Sequence, residues 1–308
     1  MAIASHIGRL ALAGQLLFTS CGGEPPRPSP LEHLRVGVDP AEEATVLEER
    51  YLAAGYRRRV RVDGETHSAL SMEHLESGDT LVRVVSRSGV ALALEAPSTE
   101  HDRAAVGLLD PGRTDLDGDG AEEVLVYAID EARARRCVAI VRIDDMRVRE
   151  VRIPFDDLGG EACIEDVRDV GGDARPEALV VVRYPEWSAG TPPQVAVPYA
   201  APSWTRMPRG AARAFLEEER ASRQEGLAEA RRTQDVREAF RLGVELAALA
   251  RFSGAEENTQ IEALEAATTN LELPGPLRAR IEEVTARIRA GWRRPELPEV
   301  LGEEREER

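Results

Sequence analysis

The chain has 308 residues, a formal net charge of −16 and only 4% aromatic side chains. A surface this acidic repels phosphate backbones and anionic head groups, which argues against nucleic-acid binding. All 40 basic side chains are arginines, because the sequence contains no lysine; Schiff-base lysines, P-loop lysines and Ser-x-x-Lys nucleophile pairs are therefore ruled out.

Residues 1–20 read as an export signal, with Arg9 followed by the apolar run 10–18 and the small residues Thr19 and Ser20. The run is too short to span a bilayer as a helix. The stretch Leu17-Phe-Thr-Ser-Cys-Gly22 resembles the lipobox of bacterial lipoproteins. That resemblance implies diacylglyceryl modification of Cys21 and a membrane contact through it; Gly22 in place of Asp implies the outer membrane. An ordinary cleaved secretory signal is the alternative. Residues 21–31 are rich in proline (Pro25, Pro26, Pro28, Pro30) and read as an extended tether.

Residues 32–205 are expected to form a β-rich module with one N-terminal helix. Asp39, Pro40 and Glu42 supply a cap, a first-turn proline and a capping-box acid, and Gly55 supplies a stop. Strands are expected over 59–62, 80–85 and 90–94, the last two joined by a turn ending in Gly89. Further apolar runs follow at 105–109, 137–143 and 148–153. Cys137 and Cys163 either close a disulfide or stand as two buried thiols.

Residues 115–127 align without a gap on residues 169–181, so the module contains an internal repeat of about four short strands per unit. In the first copy, Asp115, Asp117, Asp119 and Glu123 occupy positions one, three, five and nine, and Ala121 offers a carbonyl at seven. Calcium takes about six to eight oxygen ligands, and carboxylates at alternate positions around glycine turns suit it. Position twelve is Val126, inside an apolar run, which is incompatible with an EF-hand. The second copy keeps Asp169, Asp173 and Glu177 but has Gly171 at three and Arg175 at seven, which weakens any metal binding. For the first loop the choice lies between a calcium site and an unoccupied acidic turn. The ninth-position acid leading into Val-Leu-Val resembles the FG-GAP/VCBS repeat of integrin-like propellers. The resemblance covers about residues 105–182, and it implies propeller-blade-like units in which a calcium loop joins two strands.

Residues 206–292 have helical texture over 211–220, 235–249, 261–264 and 277–288, broken at Gly254 and Pro274, and are expected to form a helical bundle. Residues 293–308 read as a charged tail. His33, His67, His74 and His101 show no zinc or triad spacing and are expected at the surface or as satisfied polar groups. The aromatics of 184–204 lie in a proline-rich stretch that reads as a loop, and they either cover the seam between sheet and helices or form an exposed contact for a protein or glycan partner.

The reading is a multi-domain α+β chain: an antiparallel β module of propeller-blade-like repeats followed by a C-terminal helical bundle. The function expected is that of a non-enzymatic, calcium-stabilised cell-envelope lipoprotein, outer membrane-anchored, acting as a binding or scaffolding module. The alternative is an envelope hydrolase with an unrecognised carboxylate site.

Overall fold

The computed structural model describes residues 29–31, 34–37, 43–86, 89–98, 105–110, 112–130, 135–144 and 147–293. The export signal, Cys21, His33, His101, the capping residues 39–42 and residues 294–308 of the tail lie outside the described residues. The described residues form a mixed α+β structure of two antiparallel sheets and five α-helices. None of these helices is long and apolar enough to cross a membrane.

Helix α1 (Ala44–Ala53) buries Leu47 and Glu48, and Gly55 turns the chain out of it at φ 91°, a left-handed conformation that glycine adopts without penalty. Strands β1 (Arg35–Val36), β2 (Tyr56–Asp63), β3 (His67–His74), β4 (Thr80–Ser86) and β5 (Gly89–Ala96) make the first sheet, in the order β1-β5-β4-β3-β2. Strand β3 was not expected. Its polar residues His67 and Ser71 are buried beside Ala69, Leu70 and Met72, so the apolar alternation that marks a half-exposed strand is missing.

The second sheet holds β6 (Ala105–Leu109), β7 (Glu122–Asp130), β8 (Arg135–Asp144), β9 (Arg147–Glu150), β10 (Glu161–Arg168), β11 (Glu177–Arg183), β12 (Gln194–Ala200) and β13 (Thr205–Arg206). Its order is β13-β12-β11-β10-β8-β7-β6, with β9 on β8. Two expectations need correcting here. Strand β9 stops at Glu150, short of the expected 153. The proline-rich stretch read as a loop contains β12, which pairs with β11 along its whole length and accommodates Pro198 opposite Leu179.

Strands β7 and β8 are buried on both faces, which explains why they read as unbroken apolar runs. Val124, Val126, Ala128, Ala139 and Val141 face a core shared with Val62, Ala69, Val82 and Leu94 of the first sheet. Leu125, Val138 and Ile140 belong instead to the larger core that contains the helices. These are α2 (Arg209–Arg232), α3 (Val236–Phe252), α4 (Glu257–Thr268) and α5 (Gly275–Arg289). Helix α3 is buried nearly all round, from Ala239 to Phe252, and Asp235 caps its start by accepting from the backbone N–H groups of Arg237 and Glu238. Glu245, within α3, has no exposed surface; it accepts from the Gln194 N–H and pairs with Arg223 and Arg241, tying α2 and α3 to the start of β12.

The two repeat units meet at a narrow seam. Strands β8 and β10 share a single paired position, Ile164 with Val138, and beside it Cys137 and Cys163 are joined by a disulfide with Cα atoms 5.6 Å apart. Because each neighbour in the sheet runs antiparallel to the last, the β6–β7 loop and the β10–β11 loop open at opposite ends of it.

Candidate metal centre

The first acidic loop leaves β6, turns through Gly118 (φ 78°) and Gly120 (φ 88°), and enters β7. Asp115 organises it: Oδ1 accepts from the Gly118 N–H at 2.7 Å and Oδ2 from the Gly120 N–H at 3.2 Å. Asp117 accepts from the Asp119 N–H, and Asp119 from the Ala121 N–H. Glu123 reaches back across the loop to accept from the Leu116 N–H at 3.0 Å, while the Leu116 side chain is buried in the larger core and anchors the loop.

The second loop repeats this scaffold at the same offsets. Asp169 accepts from Gly172 and Ala174, Asp173 from Arg175, and Glu177 from Val170. Ala174 adopts the positive φ (63°) that Gly120 has in the first loop. The repeat in sequence is thus a repeat of hydrogen bonds, which explains why the acids recur even where position three is glycine.

The two loops differ in what their acids can hold. Oxygens of Asp115, Asp117 and Glu123 converge to within 4.8 Å of one another, the one such group of three among the described residues. Two oxygens bound to a shared calcium ion at about 2.4 Å can be at most about 4.8 Å apart, so the spacing fits. Glu123 is only 1% exposed, and its Oε1 is buried without a hydrogen bond. Burial pushes its carboxyl up to about 7, helped by the charges of Asp117 and Asp119. A buried carboxylate oxygen without a hydrogen bond, facing two more carboxylates and with its nearest cation 3.9 Å away, is a costly arrangement that a divalent ion would relieve. In the second loop, a side chain at Gly171 would begin 3.3 Å from the Met207 methyl group, where the first loop has Asp117.

Asp119 does not join the cluster. The Asp119 carboxylate turns to Arg142, whose Nη1 lies 2.6 Å from it, 3.6 Å from Asp117 and 3.9 Å from Glu123. Arg142 had escaped the sequence reading, although a signal existed: in the β7–β8 hairpin it is the direct cross-strand partner of Glu123.

Sequence reasoning also missed His67. It is buried, its Nδ1 lies 2.8 Å from Glu122, and its Nε2 has no partner, so it is neither a surface group nor a fully satisfied one. His74 instead accepts from the Ser77 N–H and lies edge-on to Tyr56. The aromatics of 184–204 are not an exposed patch. Trp187, Tyr184 and Trp204 are buried, and Trp187 and Tyr184 pack with Trp292 between the sheet and the helices.

Comparison of the chain with protein-family models, curated proteins and solved structures gives no match.

Proposed function

We propose that this chain is a non-enzymatic envelope lipoprotein whose β module is stabilised by calcium bound at Asp115, Asp117 and Glu123, and that it serves as a binding or scaffolding component. The observation that carries the metal is the Glu123 Oε1, buried without a hydrogen bond and facing the two aspartates. The all-oxygen donor set favours a hard cation such as calcium over zinc or copper. The likeness to FG-GAP/VCBS repeats rests on the loop scaffold, which recurs in both units and in each case joins two antiparallel neighbours. In this reading β6–β9 and β10–β13 are the two repeat units, and α2–α5 form a helical bundle that shares the larger core with the second sheet.

Two shallow depressions, of about 410 and 320 Å3, lie on the helical part, and neither is lined by a pair of acids. The lipid anchor rests on the sequence around Cys21. The Pro-rich stretch ends where Ser29 donates a hydrogen bond to Glu150 of the second sheet, a suitable place for a tether to meet the folded part.

The test is a pair of melting curves, with calcium and with chelator, on the wild type and on Asp117→Ala. Calcium is expected to raise the wild-type melting temperature by several degrees and to leave the variant unmoved. Identical wild-type curves in both conditions would remove the metal. Labelling with a palmitate analogue, compared with Cys21→Ala, tests the anchor separately.

A further inference from the structure

Three carboxylates of one loop stand near Arg142: Asp119 is paired to it directly, and Asp117 and Glu123 lie within 4 Å. The guanidinium comes from β8, outside the loop, and it reaches the loop because β7 and β8 pair Glu123 with Arg142. Its hold is incomplete, since Nε is buried without a hydrogen bond.

The pairing has a consequence for the metal site. Asp119 occupies position five of the loop, yet it stands outside the converging group because it is turned to Arg142. An ion held by Asp115, Asp117 and Glu123 would lie close to Nη1, since that nitrogen is already 3.6 Å from one of these ligands and 3.9 Å from another. Two cations at that separation repel each other, and the partly buried setting screens them less than water would.

Resting on the metal reading above, we infer that Arg142 is an internal competitor for the acidic loop, displaced from Asp119 when a divalent cation binds. Without metal, the guanidinium neutralises part of the charge of the cluster and keeps the loop folded. With metal, it swings out and Asp119 becomes free to join the other three acids. The site therefore has two states, and its affinity is set below what four carboxylates alone would give. In the second loop Glu177 is paired with Ala200 on one side and with Arg168 on the other, and Arg168 is exposed and makes its ion pair with Asp166 rather than with the loop acids.

Calorimetric titration of the full chain with calcium chloride tests this in the wild type, Arg142→Gln, Arg142→Met and the double variant Arg142→Gln/Asp117→Asn. The methionine keeps an apolar stem in place and guards against loss of packing; far-ultraviolet circular dichroism checks that each variant is folded. Removing the guanidinium is expected to tighten binding by about tenfold or more, the scale for one unit charge facing a divalent ion at this distance. The double variant is expected to lose that gain, which places the binding in this loop. Equal or weaker binding by both single variants, with the wild type still binding, would overturn the competition and leave the metal site standing. Absence of binding in the wild type and both single variants would overturn the metal site itself.

Discussion

The Nδ1 atom of His67 lies 2.8 Å from the Glu122 carboxylate, and this contact joins the two sheets at the residue preceding the buried acid of the metal loop. An ionised carboxylate only accepts, so Nδ1 carries the proton. The same carboxylate accepts from the N–H groups of Glu65 and Thr66 and from the hydroxyls of Thr66 and Thr114. Neighbours in a strand face opposite ways. Glu122 therefore grips the β2–β3 turn of the first sheet while Glu123 points into its own loop.

Replacing Glu122 by Gln keeps the shape but removes the charge that all these donors address. We expect a loss of about 2–3 kcal/mol in stability, read as a lower urea midpoint with an unchanged slope. Gly64→Ala should act at the same place, because a Cβ there would stand 2.2 Å from a Glu122 oxygen. A surface control such as Arg213→Ala, whose partner Glu217 is also exposed, should leave the urea midpoint essentially unchanged.

The clamp also carries a pH signature. Burial opposes ionisation of Glu122, but the hydrogen bonds from Thr66 and Glu65 and the neighbouring His67 outweigh it and bring the carboxyl down to about 2, from an ordinary 4.5. A folded-state value below the unfolded one contributes stability in full above the unfolded value and loses it as pH falls toward the folded one. The stability difference between wild type and Glu122→Gln should therefore be constant above about pH 5 and shrink between about pH 4.5 and 2. Urea melts at a series of pH values check this; a gap that widens on acidification would contradict it.

At the seam between the repeat units, the disulfide spans a sequence separation of 26 residues. Closing a loop of that length should stabilise the fold by about 3 kcal/mol. Since β8 and β10 share one paired position, a Cys137→Ala/Cys163→Ala chain should also show faster hydrogen exchange at residues 161–164 than in α3. Uniform acceleration over the whole chain would mean that the bond acts on global stability alone.

Trp292 lies just beyond α5, 1% exposed, and its Nε1 donates to the Gln260 side chain at 2.7 Å. It packs on Trp187 and Tyr184, so it holds the end of the described chain against the sheet. Trp292→Ala should cost about 3–5 kcal/mol, measured by chemical denaturation. Trp292→Phe should recover part of that loss but leave Gln260 without its donor.

What could be read along the chain was what short stretches of backbone decide for themselves. Turn glycines and the repeated spacing of the acids in both loops involve residues within a few positions of each other, so spacing alone reports them. Helical and two-sided strand periodicity likewise located α3, β7 and β8. The remainder depended on partners distant in sequence. His67 and Ser71 are buried because β2 and β4 flank β3, and no local pattern marks a polar residue whose burial is arranged by other strands. Arg142 reaches the acids only through the pairing of β7 with β8, and the seam of two units through one bridge and one disulfide is a matter of how strands meet. Charge and hydrogen bonding act over a few ångströms in space, whatever the separation along the chain, so the loop was legible from its sequence and its cationic neighbour only from the fold.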